Sequence, residues 1–189
     1  GFIIIMFYVF KINKRRIFII FLVFIAFLSI LNFLLFVRYP VKYYGIIEKY
    51  SNIYNVDPIL VTSMINVESN FKKDAISPKD ARGLMQIRRM TADWAANEIG
   101  IVDYDYSKIC EPDINIMIGT WYISKLLNQY NNDINIALVA YNAGSGNVSK
   151  WLKNYKYSLD GENLHKIPFK ESERYINKIK RNMKIYKFM

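Results

Sequence analysis

The sequence feature that most limits the possible folds is an unbroken apolar run over residues 17–37, in which only Ser29 and Asn32 are polar. As an α-helix these 21 residues extend about 30 Å, the thickness of the hydrocarbon core of a bilayer. A cleaved signal peptide would have a shorter apolar stretch that ends at small residues, whereas this run continues into Arg38-Tyr39-Pro40. We therefore expect a retained transmembrane helix at 17–37.

The basic residues around this run predict its orientation. Those before it outnumber those directly after it: Lys11, Lys14, Arg15 and Arg16 against Arg38 and Lys42. Because positive charge stays on the cytoplasmic side, residues 1–42 are expected to form a cytoplasmic N-terminus and membrane anchor, and residues 43–189 an extracellular catalytic domain. The sequence begins with Gly1, and we expect Met6 to be the natural start.

Composition excludes several classes of protein. The chain has one cysteine, Cys110, and one histidine, His165, so it cannot form an intramolecular disulfide or a zinc site of four Cys/His ligands. We expect no metal and no cofactor. The formal net charge of +10 is usually explained by a basic, solvated surface, and the more specific alternatives are nucleic acid, anionic lipid or an anionic wall polymer as a partner. An extracellular domain without a recognisable nucleic-acid module argues against nucleic acid as that partner.

Beyond the anchor, the spacing of apolar residues is helical throughout. Asp57-Pro58 is a helix-start signal and Gly100 a helix-stop signal. Any sheet is expected to be small or absent, near residues 70–90 or 155–168. The sequence thus predicts a mainly α domain with helices over 43–54, 58–69, 89–99, 113–130, 133–142 and 171–188, and a short one from 148 to 152.

Two side chains on these helices are candidates for chemistry. Glu68 continues the apolar face formed by Met64 and Ile65, so its carboxylate faces the interior or a cleft. Desolvation there would raise its pKa, as a general acid requires. The alternative is a glutamate at a helix end that simply reaches water. Tyr141 ends the apolar face of the helix over 133–142, where a tyrosine is more often a core aromatic residue than a catalytic one.

Four blocks of residues stand in order along the expected extracellular part. They are Glu68-Ser69-Asn70-Phe71 with Ala75, Ser77, Gly83-Leu84-Met85-Gln86-Ile87 and Thr91; Glu111-Pro112-Asp113-Ile114-Asn115-Ile116 with Gly119 and Tyr122; Ala140-Tyr141-Asn142-Ala143-Gly144 with Gly146, Val148 and Trp151; and Ile167-Pro168-Phe169 with Glu171 and Tyr175. Together these blocks resemble the signatures of lytic transglycosylases of the soluble-lytic-transglycosylase type, across residues 43–189.

This resemblance implies a lysozyme-like α domain that cleaves peptidoglycan glycan strands. Glu68 would be the single acid/base at the β-1,4 bond between N-acetylmuramic acid and N-acetylglucosamine, and the product would carry a 1,6-anhydromuramyl end. The substrate's own acetamido group would stabilise the positive centre. Tyr141 would assist catalysis by a hydrogen bond to the glutamate or to that group. The resemblance further implies substrate contacts from Ser77, Met85, Gln86 and Asn142.

The sequence departs from the family pattern at two places. Asp80 stands where the family usually has glycine, and Arg88-Arg89 stand where it has Met-Pro. These departures concern the shape of the loop and the charge of the groove rather than the catalytic atoms. Two alternatives stay open: a goose-type lysozyme-like muramidase that uses water, and a wall-binding module without activity.

Overall fold

The computed structural model describes residues 14–189 and divides the chain into two compact units, the first ending at Arg38. The described part of the first unit is helix α1, Lys14–Arg38. It contains the predicted apolar run, and among the described residues it alone is long and apolar enough to cross a membrane. The expected start at Met6 and the basic residue Lys11 lie outside the described residues.

The second unit, Tyr39–Met189, is built of helices, which confirms the predicted mainly α fold. The predicted helices all form, with ends shifted by up to three residues, and a 3-10 helix was not foreseen. The elements are α2 Tyr44–Tyr54, α3 Pro58–Ser69, α4 Arg89–Ile99, a 3-10 helix Tyr106–Cys110, α5 Pro112–Gln129, α6 Ile134–Ala143, α7 Ser145–Leu152 and α8 Lys170–Tyr186. The predicted division after residue 42 stays a prediction.

The two helices that carry the candidate residues have strong N-terminal caps. The Asp57 carboxylate accepts a hydrogen bond from the Ile59 backbone N–H at 2.8 Å at the start of α3. The Asp133 carboxylate accepts two backbone N–H bonds at the start of α6. Such caps satisfy N–H groups that have no partner within the helix. They therefore fix where α3 and α6 begin. The other ends, which carry Glu68 and Tyr141, are closed by the N–H groups of Asn70 and Gly144, which bond to carbonyls in the last turn of each helix.

The segment between α3 and α4 forms no strand. Within it the structure shows only two isolated bridges, from Arg82 to Ile76 and to Ile87. The fully buried Asn115 of α5 holds this segment instead: its side chain accepts from the Met85 N–H at 2.7 Å and donates to the Arg82 carbonyl at 3.0 Å. One amide side chain thus supplies the backbone partners that a sheet would otherwise provide.

Helix α3 packs on α2 and α8, while α6 packs on α5, α7 and α8. A buried hydrogen bond of 2.8 Å from Asn182 to Asn66 joins α8 to α3. On α5, Gly119 permits close approach of the loop between α3 and α4, because a Cβ atom at Gly119 would collide with the Met85 side chain of that loop. This packing brings the end of α3, the end of α6 and the first half of α8 together.

Candidate active site

An open cleft of about 470 Å³ lies where α3, α6 and α8 meet. Glu68, in the last turn of α3, reaches this cleft and is partly exposed to it. The cleft is lined by Val67, Glu68, Asn142, Glu171, Arg174, Tyr175 and Lys178. The geometry agrees with the sequence argument that Glu68 continues an apolar helix face, since Leu60, Val61, Met64 and Ile65 of α3 are all buried.

The Glu68 carboxylate has one strong hydrogen-bond partner. Its Oε1 accepts from the Tyr175 hydroxyl at 2.6 Å. Burial raises the pKa of Glu68 from 4.5 to about 7, and the bond from Tyr175 acts in the opposite direction because it favours the charged form. Near neutral pH the carboxyl group therefore exists in both forms, so it could donate a proton or accept one.

Two tyrosine hydroxyls flank this carboxyl group. Burial, followed by the negative charge of Glu68, raises the pKa of both Tyr141 and Tyr175 well above the usual 10. Both hydroxyls therefore stay protonated. The Tyr141 hydroxyl donates a hydrogen bond to the Met85 carbonyl at 2.9 Å, and its ring packs on the Tyr122 ring with 5.2 Å between the centroids. The hydrogen bond to Glu68 in this structure comes from Tyr175, which the sequence interpretation did not include among the site residues. The predicted hydrogen bond from Tyr141 to the glutamate or to the acetamido group of the substrate stays a prediction.

The sequence contained a signal for Tyr175. On α8, Ser172, Tyr175, Ile176 and Ile179 recur at helical spacing and are buried. A tyrosine on that face must point inward, and a buried phenol hydroxyl needs a polar partner. What the spacing does not contain is the identity of the partner, because Glu68 lies 107 residues away along the chain.

Three further predicted site residues, Ser77, Met85 and Gln86, lie in the loop between α3 and α4, and Ser77 and Gln86 bond to the backbone of this loop. The Gln86 side-chain amide donates to the carbonyls of Ala75 at 3.1 Å and Gly83 at 2.9 Å, and the Ser77 hydroxyl accepts from the Ala81 N–H at 3.0 Å. Neither lines the cleft, and their predicted sugar contacts stay a prediction.

Met85 requires a correction. Its side chain is 0% exposed and packs against Gly119, so it does not line a groove as expected. It contributes its backbone carbonyl to Tyr141 instead. Asn142 does line the cleft, and its side-chain oxygen accepts from the Ser172 hydroxyl at 2.7 Å.

The departures from the family pattern have structural consequences. Asp80 adopts a left-handed backbone conformation, with φ of 57°, which explains why glycine suits this position. Its carboxylate accepts a hydrogen bond from the Arg82 Nε–H at 2.8 Å. The Arg89 guanidinium lies over the Tyr106 ring, 4.4 Å from its centroid, while Arg88 is exposed. Among the described residues, no group of three or more His, Cys, Asp and Glu side chains is arranged to hold a metal ion.

A helical domain with one desolvated glutamate in an open cleft is the arrangement of lysozyme-like proteins, and comparison with known proteins agrees. Residues 45–164 match the family model described as the Transglycosylase SLT domain. The chain is 32% identical over 144 residues to a soluble lytic murein transglycosylase of Salmonella typhimurium, a match that covers 75% of this chain and 22% of that protein. It is 30% identical to the membrane-bound lytic murein transglycosylase C of Shigella sonnei, with 77% and 46% covered.

Solved structures give the same result. The lytic transglycosylase Slt of Pseudomonas aeruginosa, solved as an inactive mutant, superposes with a TM-score of 0.71 at 28% identity, covering 80% of this chain and 25% of that one. A complex of the 70-kDa soluble lytic transglycosylase with bulgecin A gives 0.71 at 26% identity, with the same coverage. The chain belongs to the SLT-domain family, and the predicted lysozyme-like α fold is confirmed. It spans less than half the length of each of these relatives.

The bond between Tyr175 and Glu68 generates the first prediction. In a Tyr175→Phe variant the carboxylate loses a donor that favours its charged form, so the pKa of Glu68 should rise above about 7. Titration of a carbon-13 label in the Glu68 carboxyl group measures this directly. Tyr186→Phe is the matched control, since Tyr186 lies about 16 Å further along the same helix and bonds to the Pro40 carbonyl. An unchanged Glu68 titration in Tyr175→Phe would contradict the assignment.

Proposed function

We propose that this protein is a membrane-anchored lytic transglycosylase that cleaves the glycan strands of peptidoglycan. It breaks the β-1,4 bond between N-acetylmuramic acid and N-acetylglucosamine and leaves a 1,6-anhydromuramyl end. The observation that carries the proposal is Glu68, a desolvated carboxyl group with a pKa raised to about 7 in an open cleft of about 470 Å³. The relatives named lytic murein transglycosylases support the choice of substrate.

In the first step the protonated Glu68 donates its proton to the glycosidic oxygen, and the bond from that oxygen to C1 of the muramyl sugar breaks. The acetamido oxygen of the same sugar stabilises the positive charge at C1. In the second step the Glu68 carboxylate takes the proton of the muramyl 6-hydroxyl. The oxygen of that hydroxyl bonds to C1 and closes the 1,6-anhydro ring. The proton returns to Glu68 and no water is consumed. A pKa close to neutrality serves both steps, since neither form is costly to reach.

The neighbouring side chains have separate roles in this proposal. Tyr175 orients the carboxylate through its 2.6 Å bond and stabilises the charged form between the two steps. Tyr141 is tied to the Met85 carbonyl, so it holds the loop between α3 and α4 against α6 and offers its oxygen as an acceptor for a sugar N–H. Asn142 uses its oxygen for Ser172, which leaves its amide N–H groups for the sugar.

Hydrolysis by water is the less favoured reaction. Ordinary glycosidases need a second carboxylate as base or nucleophile. Asp80 is turned to Arg82 and has a side chain 58% exposed, Asp74 is exposed, and Glu171 lies at the exposed rim of the cleft. Asp74 and Asp80 do not line the cleft, and Glu171, which does, has no hydrogen bond or ion pair among the described residues that would fix its carboxylate as a base or nucleophile. A binding module without activity would not need a carboxyl group whose burial costs stability.

We predict that Glu68→Gln abolishes cleavage of purified peptidoglycan, because the amide keeps the shape but cannot transfer the proton. The expected loss is roughly 100-fold or more in rate. Mass spectrometry of released fragments should show anhydro ends with the wild type and almost no fragments with the variant. Glu173→Gln, which removes the same charge from an exposed position on α8 outside the cleft, should keep the activity. Reducing ends in place of anhydro ends would instead support the muramidase alternative.

We also propose the orientation of the protein. Helix α1 spans the membrane with its basic start in the cytoplasm, and the unit Tyr39–Met189 lies outside. The membrane-bound relative supports the anchoring. Protease added to intact spheroplasts should therefore degrade the outer unit and leave an epitope tag at the N-terminus protected. Protection of the outer unit until the membrane is lysed would contradict this orientation.

A further inference from the structure

Helix α8 places two basic side chains beside Glu68. Arg174 and Lys178 both line the cleft, and they stand four residues apart on one face of the helix. That spacing puts successive side chains about 6 Å apart along the axis. We call them the α8 cation pair. The proposed reaction gives them no part, since their charges neither donate nor accept the transferred proton.

The α8 cation pair is not neutralised within the protein. Among residues 14–189 neither cation forms an ion pair. The Arg174 Nε–H donates to the Lys170 carbonyl at 3.3 Å, and among the described residues the other guanidinium N–H groups of Arg174 donate to no protein acceptor. Glu171, in the first turn of α8, lines the same cleft without bonding to either cation. The cleft therefore holds two positive side chains, the exposed carboxylate of Glu171 and the Glu68 carboxyl group, which is only partly charged near neutral pH. On the α8 side the two cations outnumber the one carboxylate, so an anionic group that enters there is attracted to α8.

The chemistry of the two side chains indicates carboxylates as that anionic group. A guanidinium binds a carboxylate through two parallel N–H bonds, and an ammonium group adds a point charge beside it. The glycan backbone itself carries hydroxyl and acetamido groups and no net charge. In peptidoglycan the negative charges near the scissile bond belong to the peptide that is attached through the lactyl group of the muramyl sugar.

We propose that Arg174 and Lys178 form a subsite for the carboxylates of this stem peptide, so that the protein prefers glycan that still carries its peptides. This inference rests on the proposed function for the identity of the glycan. The peptide is favoured over phosphate polymers of the wall because it starts at the very sugar whose C1 must sit beside Glu68. Binding of the sugar therefore delivers the peptide to the same cleft.

The expected effect follows from the energies of exposed ion pairs. Such pairs contribute about 0.2–1 kcal/mol each, so two of them predict a preference of roughly 2- to 30-fold for peptide-bearing glycan. Because both side chains are exposed, the preference should weaken as salt is raised from about 0.05 to 0.5 M.

The test compares soluble glycan fragments before and after an amidase has removed their peptides. Binding of both is measured in detergent with the full-length Glu68→Gln variant, so that the fragments stay intact. The Arg174→Gln/Lys178→Gln double variant should bring the ratio of the two affinities close to one. The matched control is Lys180→Gln/Lys184→Gln, which removes two charges at the same spacing on the same helix but outside the cleft. It should keep the parent's ratio.

Each outcome decides the matter. Equal affinity for both fragments in the parent, or an unchanged preference in the Arg174→Gln/Lys178→Gln variant, would overturn the subsite. A preference that disappears only when phosphate polymers are stripped from the fragments would overturn it as well. The proposed function is judged separately by release of fragments from peptidoglycan by the protein with Glu68 intact. Release without a peptide preference overturns the subsite alone, and a preference without release overturns the reaction alone.

Discussion

The desolvation of one carboxyl group, Glu68, is the constraint on which the rest of the site depends. Burial raises its pKa to about 7, so at neutral pH the fold bears part of the cost of a poorly solvated charge. The Tyr175 hydroxyl, at 2.6 Å, offsets some of that cost. Helices α3 and α8 must therefore hold their relative position closely, and the buried bond between Asn66 and Asn182 is one of the contacts that hold it.

The helical part of this architecture could be read from the sequence because its determinants are local. Asp57 and Asp133 cap helices α3 and α6, and the apolar stripes that follow them have the helical period. The position of Glu68 on such a stripe was enough to predict that it faces a cleft or the interior. Local signals fix where a helix starts and which face is buried, and those two facts place Glu68 without any knowledge of its neighbours.

The contacts between distant segments could not be derived in this way. Tyr175 reaches Glu68 because α8 packs on α3, and Tyr141 of α6 reaches Met85 in the loop between α3 and α4. The buried orientation of Met85 depends on the absence of a side chain at Gly119 of α5, a pairing that no periodicity contains. The four sequence blocks indicated which segments matter, whereas the fold decides which atoms in them meet.

The loop before α4 shows how the same fold tolerates departures in sequence. Asn115 supplies three hydrogen bonds to this loop and its surroundings, so the backbone course does not rely on strand pairing. Asp80 can then occupy a left-handed conformation that suits glycine, with its carboxylate engaged by Arg82. The loop therefore accommodates Asp80 at a position where the backbone conformation suits glycine.

The desolvation of Glu68 is tested most directly by the pH dependence of stability. Because the pKa of Glu68 is higher in the folded protein, its contribution to stability is lost as the pH rises from about 4.5 through about 7. A glutamine at this position does not titrate. The free energy of unfolding of Glu68→Gln minus that of the wild type should therefore grow between pH 5 and pH 8, by up to about 3 kcal/mol. The full-length protein in detergent can be followed by the fluorescence of its three tryptophans, all of which lie in the unit Tyr39–Met189. A difference that stays constant over this range would contradict the account.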